Sequence, residues 1–247
     1  MVLIHTESEL GKLREAGRIV ALVHKEVKEL IKEGITTLEL DELAKTVIKR
    51  EGGSPAFLGY KGFPFTICSS INEVIVHGFP NVQKLKNGDI VSIDVGCKKN
   101  GFFGDAAISC IVGKGTEETR RLLAASEGAL NAAINVIREG VTTGTIGRII
   151  EEYSRNCGFY VVKNYIGHGI GRQLHMEPAI FNYGRDVEGI KLKAGMCICV
   201  EPMLCIESAD NHRLDDGWTV VTNNGKPSCH VEHQIIIHKN HAEVITM

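Results

Sequence analysis

No apolar run in the 247-residue chain approaches the roughly 20 residues that a membrane-spanning helix requires, so no membrane span is expected. Basic residues never stand more than two together and the net charge is −2, which leaves no positive stripe for gripping a nucleic-acid backbone. Met1-Val2-Leu3-Ile4 turns polar at His5-Thr6-Glu7, too short for the apolar core of a secretion signal. The eight cysteines also lack CxxC spacing, so they read as reduced thiols of a cytoplasmic protein rather than as a disulfide framework. Three catalytic signatures are absent as well. There is no HExxH zinc-protease motif, no GxSxG serine elbow, and no GxGxxG or P-loop pattern for a nucleotide.

What remains is the balance of an ordinary globular protein, 43% apolar and 23% charged, enough to bury a full core in one domain spanning residues 1–247. Thr6-x-x-Glu9 is a capping box, followed by Leu13, Val20, Val23, Val27, Leu30 and Ile31 at helical spacing until Gly34. Thr36-x-x-Glu39 opens a second helix that ends at Gly52-Gly53. Two further helices are expected over Thr116 to Arg138 and Thr145 to Asn156, ending at Gly140 and Gly158. Strand-like segments rich in Val and Ile lie between and after them. In Met196-Cys197-Ile198-Cys199-Val200 the two cysteines alternate, which predicts small hydrophobes packed on one face of a strand.

The two halves repeat. Glu33-Gly34-Ile35-Thr36-Thr37 recurs as Glu139-Gly140-Val141-Thr142-Thr143, an offset of 106 residues from Glu33 to Glu139. Leu85-Lys86-Asn87-Gly88, leading into an apolar run to Asp94, recurs as Leu192-Lys193-Ala194-Gly195 leading to Glu201, an offset of 107 from Leu85 to Leu192. LKxG alone is a common turn before a strand, but that does not explain a shared offset. Each half, roughly 1–112 and 113–247, thus supplies helices and a strand ending in a carboxylate, and a pseudo-two-fold would bring Asp94 and Glu201 to one centre. Helices segregated from strands in this way argue for an α+β fold.

The hairpin locates the chemistry. Ile90 to Gly96 and Phe102 to Val112 flank Asn100-Gly101, a strong type I′ turn signal. With a two-residue loop, Lys99 pairs with Phe102, Asp94 lies opposite Ala107, and Asp105 shares the face of Asp94. Two carboxylates held together on an apolar sheet face are costly unless a cation neutralises them. Glu201, in Val200-Glu201-Pro202, and Glu232, before His233-Gln234-Ile235-Ile236-Ile237, are also embedded in apolar strand sequence. Adding His168 of Gly167-His168-Gly169-Ile170-Gly171 makes four carboxylates and one imidazole, a set suited to two divalent ions such as Mn, Co, Fe or Zn. Taken alone, GHGIG is equally a glycine-rich turn with a structural histidine.

These residues, with Ser70-Ile71-Asn72-Glu73, Val76-His77-Gly78, Gly104-Asp105, His175, Glu201-Pro202-Met203, Asp216-Gly217-Trp218 and Glu232-His233, resemble the methionine aminopeptidases over essentially the whole chain. The resemblance implies the pita-bread fold, whose pseudo-two-fold agrees with the duplication. It implies that Asp94 holds one metal, that Asp105 and Glu232 bridge both, and that His168 and Glu201 complete the other, with water activated between the ions. Glu201 would also move the proton, His175 would bind the scissile carbonyl and His77 would stand on the leaving side. The methionine pocket would be Tyr60, Phe63, Cys68, Leu174 and Trp218. The backbone oxygens of Asn72 and Val74, with Ser228, would hold a monovalent Na or K ion. The implied partners are nascent polypeptide N-termini near the ribosome, acted on by a monomer.

Glu201 and Glu232 are too close in sequence for the helical insertion of the family's second type, so the chain resembles the first, bacterial-style type. It also lacks the Cys/His-rich N-terminal extension of some relatives and the long N-terminal domain usual in proline-directed enzymes of this fold. Met176 stands where the family often has an acid, Phe103 where it often has His, and Cys229-His230 where Ala-Gln is usual. Such neighbours of a metal site tune rate and metal preference. Two alternatives stand beside this reading: a same-fold aminopeptidase with another substrate, and a catalytically altered binding protein of the same fold.

Overall fold

The computed structural model describes residues 3–184 and 188–247. Helix α1 (Glu7–Leu30) starts at the expected box, where Thr6 and Glu9 cap each other reciprocally. Its buried stripe of Leu10, Leu13, Ile19, Val20, Val23 and Val27 follows the helical period. Helix α2 (Thr37–Arg50) repeats the device with Thr36 and Glu39. Both helices pack on a four-stranded antiparallel sheet built from β1 (Ile67–Ile71), β2 (Ile90–Lys99), β3 (Phe102–Ile111) and the short strand Ser54–Pro55. Val20, Val23, Leu40 and Val47 meet Ile67, Val91, Ile93 and Val95 in the core between the layers. Emptying one such site by Leu→Ala would cost about 2–5 kcal/mol.

The second half repeats the plan. Helices α3 (Glu117–Val136) and α4 (Thr143–Asn156) cover a five-stranded sheet that contains β4 (Gly167–Gly169), β5 (Met176–Ile180), β6 (Cys197–Val200), β7 (His233–Ile237) and β8 (Ala242–Val244). The strand order is β8-β7-β6-β4-β5. Two helix ends differ from expectation. The fourth helix starts at Thr143, because the Thr142 hydroxyl accepts from the Thr145 N–H and is therefore the cap. The third ends at Val136, where Ile137 turns to extended backbone.

The duplication is written in the hydrogen bonds. Gly34 N–H donates to Leu85 O at 2.9 Å, and Gly140 N–H donates to Leu192 O at 2.9 Å. Leu85 returns a bond to Ile35 and Leu192 to Val141, each at 2.8 Å. The bridges Thr36↔Lys84 and Thr142↔Lys191 repeat likewise.

The hairpin register is the expected one: Lys99 pairs with Phe102, Asp94 with Ala107 and Gly96 with Asp105. Asn100 and Gly101 both take positive φ, 50° and 80°, as a type I′ turn requires. The strands run slightly longer or shorter than expected, β2 to Lys99 and β3 to Ile111. Ala107 also forms a bridge with Glu232, which joins the two sheets side by side.

Candidate functional site

That bridge aligns two rows of side chains across the molecule. In the first, Cys68 pairs with Asp94, Asp94 with Ala107 and Ala107 with Glu232. The β6–β7 register, which pairs Val200 with His233, extends one residue further to set Glu201 beside Glu232. In the second row the Asp105 N–H donates to Gln234 Oε1 at 3.1 Å, and Gln234 pairs with Cys199. Gly169 pairs with Ile198, so His168 comes beside Cys199 on the same face. Strand alternation thus explains why acids far apart in sequence converge.

His168 lies on β4 between two glycines, and the motif is a strand rather than a turn. A Cβ at Gly167 would sit 2.3 Å from Cys199 O, and one at Gly169 would sit 2.1 Å from Glu177 O, so no larger residue fits beside the neighbouring strands. His168 Nδ1 lies 2.9 Å from Gly169 O. A carbonyl oxygen accepts, so Nδ1 carries the proton and Nε2 keeps its lone pair. Nε2 faces Asp105 Oδ2 and Glu201 Oε1, each at 3.7 Å.

Asp105 and Glu232 are buried, 3% and 2% exposed, and Asp94 and Glu201 are half-buried. Asp94 Oδ1, Asp105 Oδ1 and Glu232 Oε1 have no hydrogen-bond partner among the described residues. Burial pushes the carboxyls of Asp94, Asp105, Glu201 and Glu232 upward, and the neighbouring acids push the last three further. Ligand atoms of Asp105, His168, Cys199 and Glu232 all lie within 4.8 Å of one another. Unpartnered buried oxygens around a lone-pair nitrogen fit a divalent cation, which would remove the desolvation cost that now falls on each acid.

Beside the acids lies a cavity of about 230 Å³. Asp94, Asp105, His168, Glu201 and Glu232 line it together with Tyr60, Phe63, Cys68, His77, Leu174, His175, Trp218 and two further residues, Phe57 and Lys61. All the expected metal and pocket residues therefore meet in one place. Phe63 and Trp218 contact edge to face at 5.1 Å between ring centroids. Tyr60 Oη is 2.9 Å from His175 Nδ1, and the His175 ring lies against His168, with centroids 4.3 Å apart. His77 is held at φ 59°, a left-handed conformation costing on the order of 1–3 kcal/mol for a non-glycine residue. Burial keeps His168 and His77 neutral, near pKa 3 and 4; His175 is exposed on its outer side, and partial desolvation with the Lys61 charge nearby lowers it to about 4. Elsewhere, the Ser228 hydroxyl donates to a carbonyl oxygen of the Asn72–Val74 loop, lying 3.2 Å from Asn72 O and 3.0 Å from Val74 O.

A family model described as metallopeptidase family M24 matches residues 11–239. The chain belongs to that family. Within M24 it is 44% identical to methionine aminopeptidase 1 of Bacillus subtilis over 246 residues, covering 100% of this chain and 99% of that protein. The crystal structure of methionine aminopeptidase from Rickettsia prowazekii superposes with a TM-score of 0.98 at 40% identity, covering 100% of both chains. The prolidase of Pyrococcus horikoshii shares the fold at a TM-score of 0.82 and 22% identity, and this chain spans 64% of it. The α+β fold expected from the element pattern, and the pita-bread architecture that the resemblance implied, are the fold of this M24 member.

Four residues near the acids escaped the sequence reading. Phe57 and Lys61 line the cavity, and the buried Gln234 holds Asp105. Cys199 was expected to be only a small hydrophobe, yet its sulfur stands among the acids. Burial, with Glu232 and Asp105 nearby, pushes its thiol well above the usual range. The signal was present: Cys199 precedes Glu201 by two, so both point to one face of β6. Of the unusual neighbours, His230 comes nearest, with Nε2 3.6 Å from Glu201 Oε2. Phe103 packs against the core cluster that includes Phe63, Cys68 and Leu174 and donates its N–H to Gly171 O, Met176 pairs with Gly169, and Cys229 is in the core.

Proposed function

We propose that this M24 chain is a metal-dependent aminopeptidase that hydrolyses the N-terminal methionine from nascent proteins and peptides, preferring a small second residue. The carrying observation is the meeting of four carboxylates, two buried and two half-buried and three of them with an unpartnered oxygen, with an aromatic and sulfur-lined cavity. Asp94, Asp105, His168, Glu201 and Glu232 would hold two divalent ions, Co, Mn, Fe or Zn, since four negative charges balance two dications. When bound, such a pair supplies Lewis acidity that activates water and polarises a carbonyl.

The chain's own residues do the rest. Tyr60, Phe63, Cys68, Leu174 and Trp218 receive the thioether side chain, for which aromatic and sulfur contacts suit. The Tyr60 hydroxyl, donating to His175 Nδ1, leaves the proton on Nε2, where it can bond the scissile carbonyl oxygen as negative charge develops. Glu201 accepts a proton from the attacking water and returns it to the leaving nitrogen, beside which His77 stands.

The oxygens of Asn72 and Val74 with Ser228 would take a weakly held Na or K ion. Residues 1–247 would act as one cytoplasmic domain, with halves 1–112 and 113–247, working as a monomer near the ribosome. No nucleic acid or membrane partner is required; no helix among the described residues is long and apolar enough to cross a membrane.

The test is to strip the protein with chelator, restore Mn, Co, Fe or Zn, and assay peptides beginning Met-Gly, Met-Leu and Ala-Pro. Metal-restored release of Met from Met-Gly, little from Met-Leu and no Ala from Ala-Pro is expected. Release of Ala from Ala-Pro in preference to Met would overturn the methionine assignment in favour of a proline-directed enzyme.

A further inference from the structure

We propose that Cys199 is a sulfur ligand of the metal centre, joining Asp105, His168 and Glu232 around one ion. The inference rests on the reading of these acids as a metal centre and adds a donor to it. Two independent observations meet here. Ligand atoms of these four residues lie within 4.8 Å of one another, close enough to surround a single point. Asp105 and Glu232, 3% and 2% exposed, each carry a buried oxygen without a hydrogen-bond partner among the described residues.

The position is particular to Cys199. Cys197 shares its strand and face, but its sulfur accepts from Gln234 Nε2 at 3.3 Å and is outside the set. Cys68 lines the cavity opposite Asp94 and is likewise outside it. Cys199 is fully buried on β6 two residues before Glu201, and Gln234 opposite it fixes Asp105 through that residue's N–H.

Two oxygens, one imidazole nitrogen and one sulfur form a four-donor set of the kind zinc accepts in tetrahedral geometry. A sulfur shifts preference toward zinc and away from ions such as manganese that favour oxygen donors. As the metal–sulfur bond forms, the thiol proton is released to solvent. Asp94 remains for the other ion, while Glu201, whose Oε1 lies 3.7 Å from His168 Nε2, stays beside this one.

Cobalt(II) reads the proposal out without an activity assay. Metal-free protein is titrated with Co(II): visible d–d absorption reports uptake by the centre, and near-ultraviolet sulfur-to-cobalt charge transfer reports the thiolate. Both are expected in the wild type. Cys199→Ser should keep the visible bands and lose the charge transfer, whereas Cys197→Ser should keep both. Zinc affinity of Cys199→Ser should fall by about tenfold or more, and manganese affinity by less. Because the variant could misfold, X-ray absorption on zinc-loaded wild type gives a second reading, one sulfur at about 2.3 Å. Visible bands without charge transfer, a shell of oxygen and nitrogen alone, or charge transfer surviving in Cys199→Ser would overturn the sulfur ligand while leaving the metal centre standing. No cobalt uptake at all would overturn both.

Discussion

Ala107 and Glu232 exchange a pair of backbone hydrogen bonds, Glu232 N–H to Ala107 O at 2.9 Å and Ala107 N–H to Glu232 O at 3.3 Å. This bridge joins the sheets of the two halves and sets Asp94 and Asp105 of one against Glu201 and Glu232 of the other. The four acids therefore converge through backbone pairing, and their mutual repulsion is imposed by the fold. A divalent ion relieves it.

Asp105→Asn removes one of those charges and keeps the shape. Methionine release is expected to fall by about a thousandfold or more, as for removal of a central catalytic group. The metal-free variant should unfold at the same temperature as the metal-free wild type or higher, because it lacks one buried carboxylate. Circular dichroism and a peptide assay check both.

Removing Gln234 should act through Asp105. Its side chain accepts from Asp105 N–H at 3.1 Å and donates to Phe103 O at 3.2 Å. Gln234→Leu leaves both backbone groups buried without those partners, at about 1–3 kcal/mol each. A lowered melting temperature together with weaker metal binding is expected in calorimetry.

The Tyr60–His175 pair gives a graded test. His175→Ala should lower kcat by about 100–1000-fold, the range for loss of an oxyanion donor. Tyr60→Phe, which loses only the hydroxyl 2.9 Å from Nδ1, should lower it less. Equal effects would show that the tyrosine hydroxyl acts in its own right.

His24 predicts how stability depends on pH. Burial, with His233 nearby, lowers its pKa from 6.5 to about 3 in the folded protein. Between those values the unfolded chain binds a proton that the folded chain refuses. Its stabilising contribution is therefore complete above pH 6.5 and is lost as pH falls toward 3. The slope is up to about 1.4 kcal/mol per pH unit. Urea unfolding of His24→Leu across this window should show a shallower loss than wild type.

How much was legible in the sequence follows from the range of each interaction. Capping boxes and the Asn100-Gly101 turn are local, so α1, α2 and the hairpin register could be read residue by residue. The repeat supplied the pairing of halves, and it even held the answer at α4, since Thr36 aligns with Thr142 rather than Thr145. His168 sits on a three-residue strand whose register depends on β6, far along the chain, so periodicity could not orient it. Cys199 is buried in the core as expected, and its place among the acids was not legible because a buried cysteine usually needs no explanation beyond packing; only the long-range pairing with Gln234 shows which acids surround it.

The most direct test of the central claim is a manganese titration of chelator-stripped protein, with bound metal and methionine release from a Met-Gly peptide followed in the same samples. Release should be absent without metal, rise with occupancy of the centre and level off when it is full. Full activity in protein shown to contain no divalent ion would contradict the account.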